Sequence, residues 1–387
     1  MRILKAGISC LLMMMLLGCW DRKEIDELGI VLGVAFDKQS NQISTLHTFA
    51  LPKTSSEKSD VKSEKWVNLE NTGDLVSENV RGLVKSSIRF PTYEHLKVIV
   101  ISEELGRSVP LKQMTDYLLR NPESRRSVKL VVSKGKAGEM LKVTSPLDMN
   151  PAYKLSEIAD RSEQLLELPP KTTLGEVSSK LTSKTSFYVQ RSELNANREA
   201  VLSGAVAVKG TTGKVIGSLT EEETRGLNFI LPNNNKKSAI VKVFDPESEQ
   251  QFIYELRKIR ANLIPVVQGK QISFVVSVQT EGRMREDWRL QGNAFDSRFI
   301  KQSEKAAADT IQQAVKALLN KTQKELGADI AGFGKQLSIH YPRTWKEVAD
   351  YPSTFPYKSI FGNSGTAAWC SLILRCRDNR LQKNTCL

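Results

Sequence analysis

Residues 28–36 read LGIVLGVAF, nine positions without a charge in which Ile30, Val31, Leu32 and Val34 crowd together. A run this short, apolar throughout and rich in β-branched residues, predicts a buried strand. The alternation of strand and helix that follows it is an α/β pattern and bounds one domain.

Working outward, Asp37 to Asn41 is polar and turn-like, and Ile43 to Leu51 predicts a paired second strand. Residues 52–65 (PKTSSEKSDVKSEK) have the composition of a loop. Asp74 to Ile88 places Leu75, Val76, Val80, Leu83 and Val84 on one helical face, with Asp74 positioned as the cap. Leu96 to Ser102 predicts a strand, Leu111 to Arg120 a helix ended by Asn121-Pro122, and Val128 to Ser133 another strand.

From Thr144 to Leu194 the periodicity weakens, and Pro146, Pro151, Pro169 and Pro170 suggest a connecting segment with short helices. A second block opens at Glu199 to Lys209, turns, and returns through Val215 to Leu219. Asn233 to Lys237 is a loop; Ile240 to Phe244, Phe252 to Ile259 and Ile272 to Val278 follow as strands. The clearest helix runs from Phe299 to Leu326. Ala307, Ile311, Ala314, Val315, Leu318 and Leu319 form its core stripe, and Gly327 stands where a C-terminal cap belongs. The expectation is an α+β fold of several subdomains, mixed sheets packed by helices, with this long helix in the C-terminal half. Its parts are an N-terminal α/β domain with connecting segment at 19–195, an α+β domain at 196–350, and an atypical tail at 351–387.

The N-terminus speaks to compartment. Arg2 and Lys5 precede an apolar run from Ala6 to Leu17. Twelve helical residues reach about 18 Å, short of the ~30 Å hydrocarbon core, so the run fits a signal peptide over residues 1–18 and not a spanning anchor. Leu16-Leu17-Gly18-Cys19 then resembles the lipobox of bacterial lipoproteins, with cleavage between Gly18 and Cys19 and lipid attached to the Cys19 thiol. Cys10 lies inside the apolar run and lacks that context. Two or more acyl chains anchor stably where one does not.

Charge and chemistry narrow the classes further. The chain carries 56 Lys plus Arg against 43 Asp plus Glu, and removing Arg2 and Lys5 leaves +11. These cations are scattered, which suits a diffusely basic surface and attraction to anionic headgroups; export argues against nucleic acid as partner. Between Cys19 and Cys370 there is no cysteine, which excludes a disulfide-stapled body, and the absence of CxxC excludes a zinc ribbon. His47, His95 and His340 have no metal-spaced companions. Gly210 to Lys214 lacks Walker spacing and reads as a hairpin turn, and Gly362 to Gly365 lacks the strand-to-helix context of a nucleophile elbow. Glu103-Glu104 and Glu221 to Glu223 are adjacent along the chain and read as a solvated face or as helix-start residues. No catalytic, cofactor or metal residues are assigned, and the chain is not expected to be an enzyme.

The segment after the lipobox, Cys19-Trp20-Asp21-Arg22-Lys23-Glu24-Ile25-Asp26-Glu27-Leu28-Gly29, resembles the mature start of the Ger(x)C family. Tyr93 to Ser102 is similar to the family's strand before a Glu-Glu-Leu turn, and Tyr117 to Arg120 with Arg125-Arg126 to its next helix and turn. Ala205 to Val208 through Gly217 to Thr220 resembles its mid-chain hairpin, and Lys321 to Lys335 with Trp345-Lys346 its C-terminal helix exit. The likeness covers roughly residues 16–350. It implies a palmitate-bearing membrane lipoprotein of spore germination: the C subunit of a nutrient germinant receptor, on the outer face of the spore inner membrane. The implied partners are A-type and B-type membrane-spanning subunits and the bilayer; direct nutrient binding by this subunit is left open. No cofactor is implied. A solute-binding lipoprotein of an importer is the alternative, and it predicts two doubly wound lobes. Residues 351–387 depart from the family: they hold Cys370, Cys376 and Cys386 and no sustained alternation. A shifted reading frame or a degenerate end is the hypothesis for this tail, with the last strand of the second domain missing.

Overall fold

The computed structural model describes residues 28–51, 66–87, 89–143, 150–232, 236, 238–269, 271–289, 296–349 and 373–377. The expected loop at 52–65, residues 18 and 19, and most of the tail lie outside the described residues.

The opening strand is β1 (Leu28–Gln39), continued antiparallel by β2 (Gln42–Ala50) and β3 (Trp66–Gly73). It is longer than its apolar stretch because Asp37 to Gln39 keep pairing with β2. The next helix, α1 (Val76–Ser86), corrects the cap assigned to Asp74. Asp74 instead accepts a hydrogen bond from Gln42 Nε2 at 3.0 Å, and the Glu78 carboxylate takes the Leu75 N–H at 3.3 Å.

Short β4 (Phe90–Thr92) and β5 (Val98–Ser102) both run parallel to β1. Helices α2 (Glu103–Ser108) and α3 (Leu111–Arg120) lead to β6 (Lys129–Ser133), parallel to β5. Alternate residues of these strands enter different cores. Ile99, Ile101, Leu130 and Val132 join one cluster, while Val98, Val100 and Val131 join the other. Two buried faces are why the sequence reads as a continuous apolar run.

The segment expected to be connecting holds more structure than its weak pattern suggested. Helix α4 (Ala137–Lys142) stands just ahead of it, and within it the expected short helices α5 (Pro151–Asp160) and α6 (Leu174–Thr182) are joined by strands β7 (Thr172–Thr173) and β8 (Phe187–Leu194). Asn150 caps α5 by accepting the Ala152 N–H at 2.9 Å, and Thr173 with Glu176 forms a capping box on α6. Strand β8 runs parallel to β6 yet carries Gln190 and Ser192 fully buried, which hid its core alternation.

The hairpin β9 (Ala200–Lys209) and β10 (Lys214–Leu219) has its turn at Gly210 to Gly213, as expected. This hairpin, expected to open the second block, pairs through β9 with β8, so one ten-stranded sheet runs β10-β9-β8-β6-β5-β1-β2-β3, with β4 on β1 and β7 on β6.

The rest is the second layer. Helix α7 (Glu221–Ile230) precedes β11 (Ile240–Asp245) and the long hairpin β12 (Gln250–Gln268) and β13 (Gln271–Asp287). The expected strands at 252–259 and 272–278 were too short, because charged outward residues after Leu256 interrupt the apolar pattern while pairing continues. Helix α8 (Ser297–Asn320) passes through a π turn (Lys321–Leu326) into left-handed Gly327 at φ 56°, the expected cap. All six residues of its stripe are buried. Helices α9 (Phe333–His340) and α10 (Pro342–Ala349) complete the layer. The missing last strand is a correction: β14 (Ile373–Arg377) lies parallel beside Ser277 to Glu281 of β13. The whole is the α+β fold expected, two sheets packed by helices with the long helix in the C-terminal half.

Candidate functional site

The residues singled out from sequence, Gly18 and Cys19, lie outside the described residues. Leu28 begins β1 nine residues after Cys19 and pairs with Phe90, whose ring is 54% exposed.

The three histidines stay apart. His95 and His340 are exposed. His47 is fully buried, with Nε2 3.0 Å from the Tyr93 hydroxyl. Burial holds its pKa down at about 3, and burial likewise pushes the Tyr93 hydroxyl up. A neutral imidazole locked to a phenol is a core pair, not a proton shuttle. Among the described residues no group of three or more His, Cys, Asp or Glu is arranged to hold a metal ion.

The C-terminal edge of parallel strands is where open α/β sheets commonly receive ligands. Here Ser102, Ser133 and Ser192 stand in register on adjacent strands, all buried. Beside them Asp37 accepts the Ala137 and Gly138 N–H groups at 2.7 and 2.8 Å, which holds the start of α4 over β1, β5, β6 and β8. The serine row is roofed by α4.

Two buried cations act as joints, Lys236 between the second layer and residues 162–168 and Arg289 between the second sheet and α8, and neither was found from sequence. Lys236 donates its three ammonium hydrogens to the carbonyls of Ser162, Leu165 (2.8 Å) and Leu168 (2.7 Å). Burial lowers its pKa to about 7, with Glu167 and Glu163 acting the other way. Asn228 of α7 grips the same segment through the Leu166 and Leu168 carbonyls, and Arg225 pairs with Glu167 at 2.8 Å. Arg289 lies between the Phe252 and Phe299 rings, 4.2 Å from each centroid. It also bonds Asp287 at 2.8 Å and Ser303 at 2.9 Å, and stands 3.5 Å from Asp245. In sequence, Lys236 is one of two lysines after three asparagines, and only its remote acceptors distinguish it.

Near the chain's later end Asp329 accepts the N–H groups of Gly332, Phe333 and Gly334 at 2.7–3.0 Å and so starts α9. That explains why Ala328 to Gly334, quoted above for its likeness, has its spacing. Burial raises the Asp329 carboxyl pKa while the backbone donors act to lower it. Among the described residues no helix is long and apolar enough to cross a membrane.

This arrangement of helix-covered mixed sheet and antiparallel second layer matches families of known proteins. The description "Spore germination protein N-terminal domain" fits residues 21–193, and "Spore germination B3/ GerAC like, C-terminal" fits residues 203–360. The chain belongs to the Ger(x)C spore germination family. Within that family it is 30% identical over 379 residues to spore germination protein YndF of Bacillus subtilis (strain 168), covering 91% of this chain and 93% of the relative. Spore germination protein B3 of the same organism is 25% identical, covering 89% of this chain and 91% of the relative. The crystal structure of the GerBC protein superposes with a TM-score of 0.58 at 20% identity, over 91% of this chain and 99% of that one, and shares the fold. The expected family is thus shown, and germination is the setting of the relatives that it contains.

Proposed function

We propose that the chain is the lipid-anchored C subunit of a spore nutrient germinant receptor, a contact protein and not an enzyme. The observation that carries this reading is the order of parts. An export signal and lipobox ending at Gly18-Cys19 directly precede a body matched by both Ger(x)C domains. A diacylglyceryl group on Cys19 would place this body on the outer face of the spore inner membrane. From there it would brace the A-type and B-type membrane-spanning subunits, and the rigid joints at Lys236 and Arg289 suit a brace. The nine residues from Cys19 to Leu28 reach at most about 30 Å, which keeps the large sheet near the bilayer. The antiparallel pairing of β11, β12 and β13 weighs against the importer alternative, which needs a doubly wound second lobe.

Two measurements test the reading. Labelled palmitate should enter the wild-type chain and be absent from Cys19→Ser; label on the serine variant removes the anchor. Deleting the coding region should abolish germination toward one nutrient or nutrient set. Normal germination on every single nutrient, in cells with no redundant receptor, removes the receptor role.

A further inference from the structure

The second sheet has one covered face and one open face. Val241, Val243, Phe252, Tyr254 and Leu256 point inward and join the core with α8 and α9. The opposite face gathers four of the chain's exposed large apolar residues: Ile240 (50%), Phe244 (52%), Ile264 (48%) and Trp288 (68%). Phe244 pairs in register with Gln251, and the Trp288 N–H bonds the Gln251 carbonyl at 3.1 Å. One row across three strands therefore carries Phe244 and Trp288 at its two ends.

Next to this aromatic row the face is basic. Lys242, Arg257, Lys258, Arg260, Arg283 and Arg285 are all exposed. Register irregularities between Leu256 and Lys258 and between Ile253 and Tyr254 add one residue to each strand of the hairpin. They turn Arg257 and Arg285 outward beside Lys258 and Arg283. Three carboxylates share the face: Glu255, held by Arg283 at 2.8 Å and Arg285 at 3.5 Å, with Glu281 and Glu286. A surplus of cations remains. Basic and edged by Trp and Phe, the surface has the composition that seats at an anionic lipid headgroup layer.

We propose that this outer face of β11, β12 and β13 docks on an anionic lipid surface. The contact would hold the body on its side against the bilayer as a second attachment. It rests on the Cys19 reading only for the tether that brings the body to the membrane, since the face itself needs no acyl chain.

The test uses the mature chain from residue 19 bearing Cys19→Ser, so that no lipid is attached and a failure of lipidation cannot affect the result. It should float with vesicles of phosphatidylglycerol and phosphatidylcholine in equal parts, stay behind with phosphatidylcholine alone, and release as salt rises. Lys258→Gln with Arg260→Gln should lower partitioning roughly thirtyfold, at ~1 kcal/mol for each basic residue near an anionic surface. Phe244→Ser with Trp288→Ser should also weaken it, and circular dichroism should show both variants folded. Independently, the emission of Trp288, taken as the difference between this chain and its Trp288→Phe variant, should shift to shorter wavelength on the anionic vesicles. Equal binding to neutral vesicles, or full binding by both folded double variants, overturns the proposal. So does a chain that ignores vesicles and uses the same residues to hold an acidic protein.

Discussion

Gly226 of α7 faces the Ala314 carbonyl of α8 so closely that a Cβ on the glycine would stand 2.1 Å from that oxygen. The two helices meet backbone to backbone, and any side chain at 226 must push them apart. Gly226→Ala is expected to lower the unfolding free energy by about 3 kcal/mol, the upper part of the range for overpacked cores. The measure is the urea midpoint of the mature chain; an unchanged midpoint at constant slope would show that the two helices yield freely.

Arg289 is the second joint. Its guanidinium fills the gap between Phe252 and Phe299 while facing Asp287 and Asp245. Arg289→Met keeps bulk but leaves buried acid without its partner, an expected loss of about 3 kcal/mol. Arg289→Lys should restore part of it, because a lysine keeps the charge and loses the planar stack. Equal stability of all three chains would mean that the sandwich contributes nothing.

His47 makes stability depend on pH. Its pKa falls from 6.5 to about 3 through burial, so the unfolded chain takes a proton that the folded chain refuses. This contribution is fully present above pH 6.5 and is lost as pH falls toward 3, by roughly 1.4 kcal/mol per pH unit. His47→Gln retains a partner for Tyr93 and should flatten the slope of unfolding free energy between pH 6 and 4, in the same order of about one proton. Identical slopes for the two chains would place the acid sensitivity elsewhere.

Lys236 should govern the order of residues 162–168. Lys236→Met withdraws the donor from the buried Ser162 carbonyl, a cost of roughly 1–3 kcal/mol when left unmet, while the Leu168 carbonyl keeps Asn228 and the Leu165 carbonyl is part-buried. Faster cleavage within this segment under limited proteolysis is the expected result. Unaltered cleavage would assign the hold to Asn228 and Arg225.

What could be read without coordinates was whatever depends on near neighbours in the chain. Strand β5, helix α3 to its last residue, the stripe of α8 and its Gly327 cap all follow from periodicity and capping, which act over a few residues. Strand β8 was lost because Gln190 is buried among remote acceptors, its amide donating to the Ala159 and Pro169 carbonyls. The Asp74 cap failed because Gln42, thirty-two positions away, claims that carboxylate.

The amino-acid order by itself determined most element types and the family likeness, and it gave the export signal and the Cys19 anchor site as expectations. Only the tertiary structure decided that β9 and β10 close the first sheet and that Lys236 and Arg289 are buried joints. It alone also gathered the aromatic and basic residues of the second sheet on one open face. The reason is physical: a side chain's energy depends on what folding brings within a few ångströms of it, and for these residues those partners are distant in sequence.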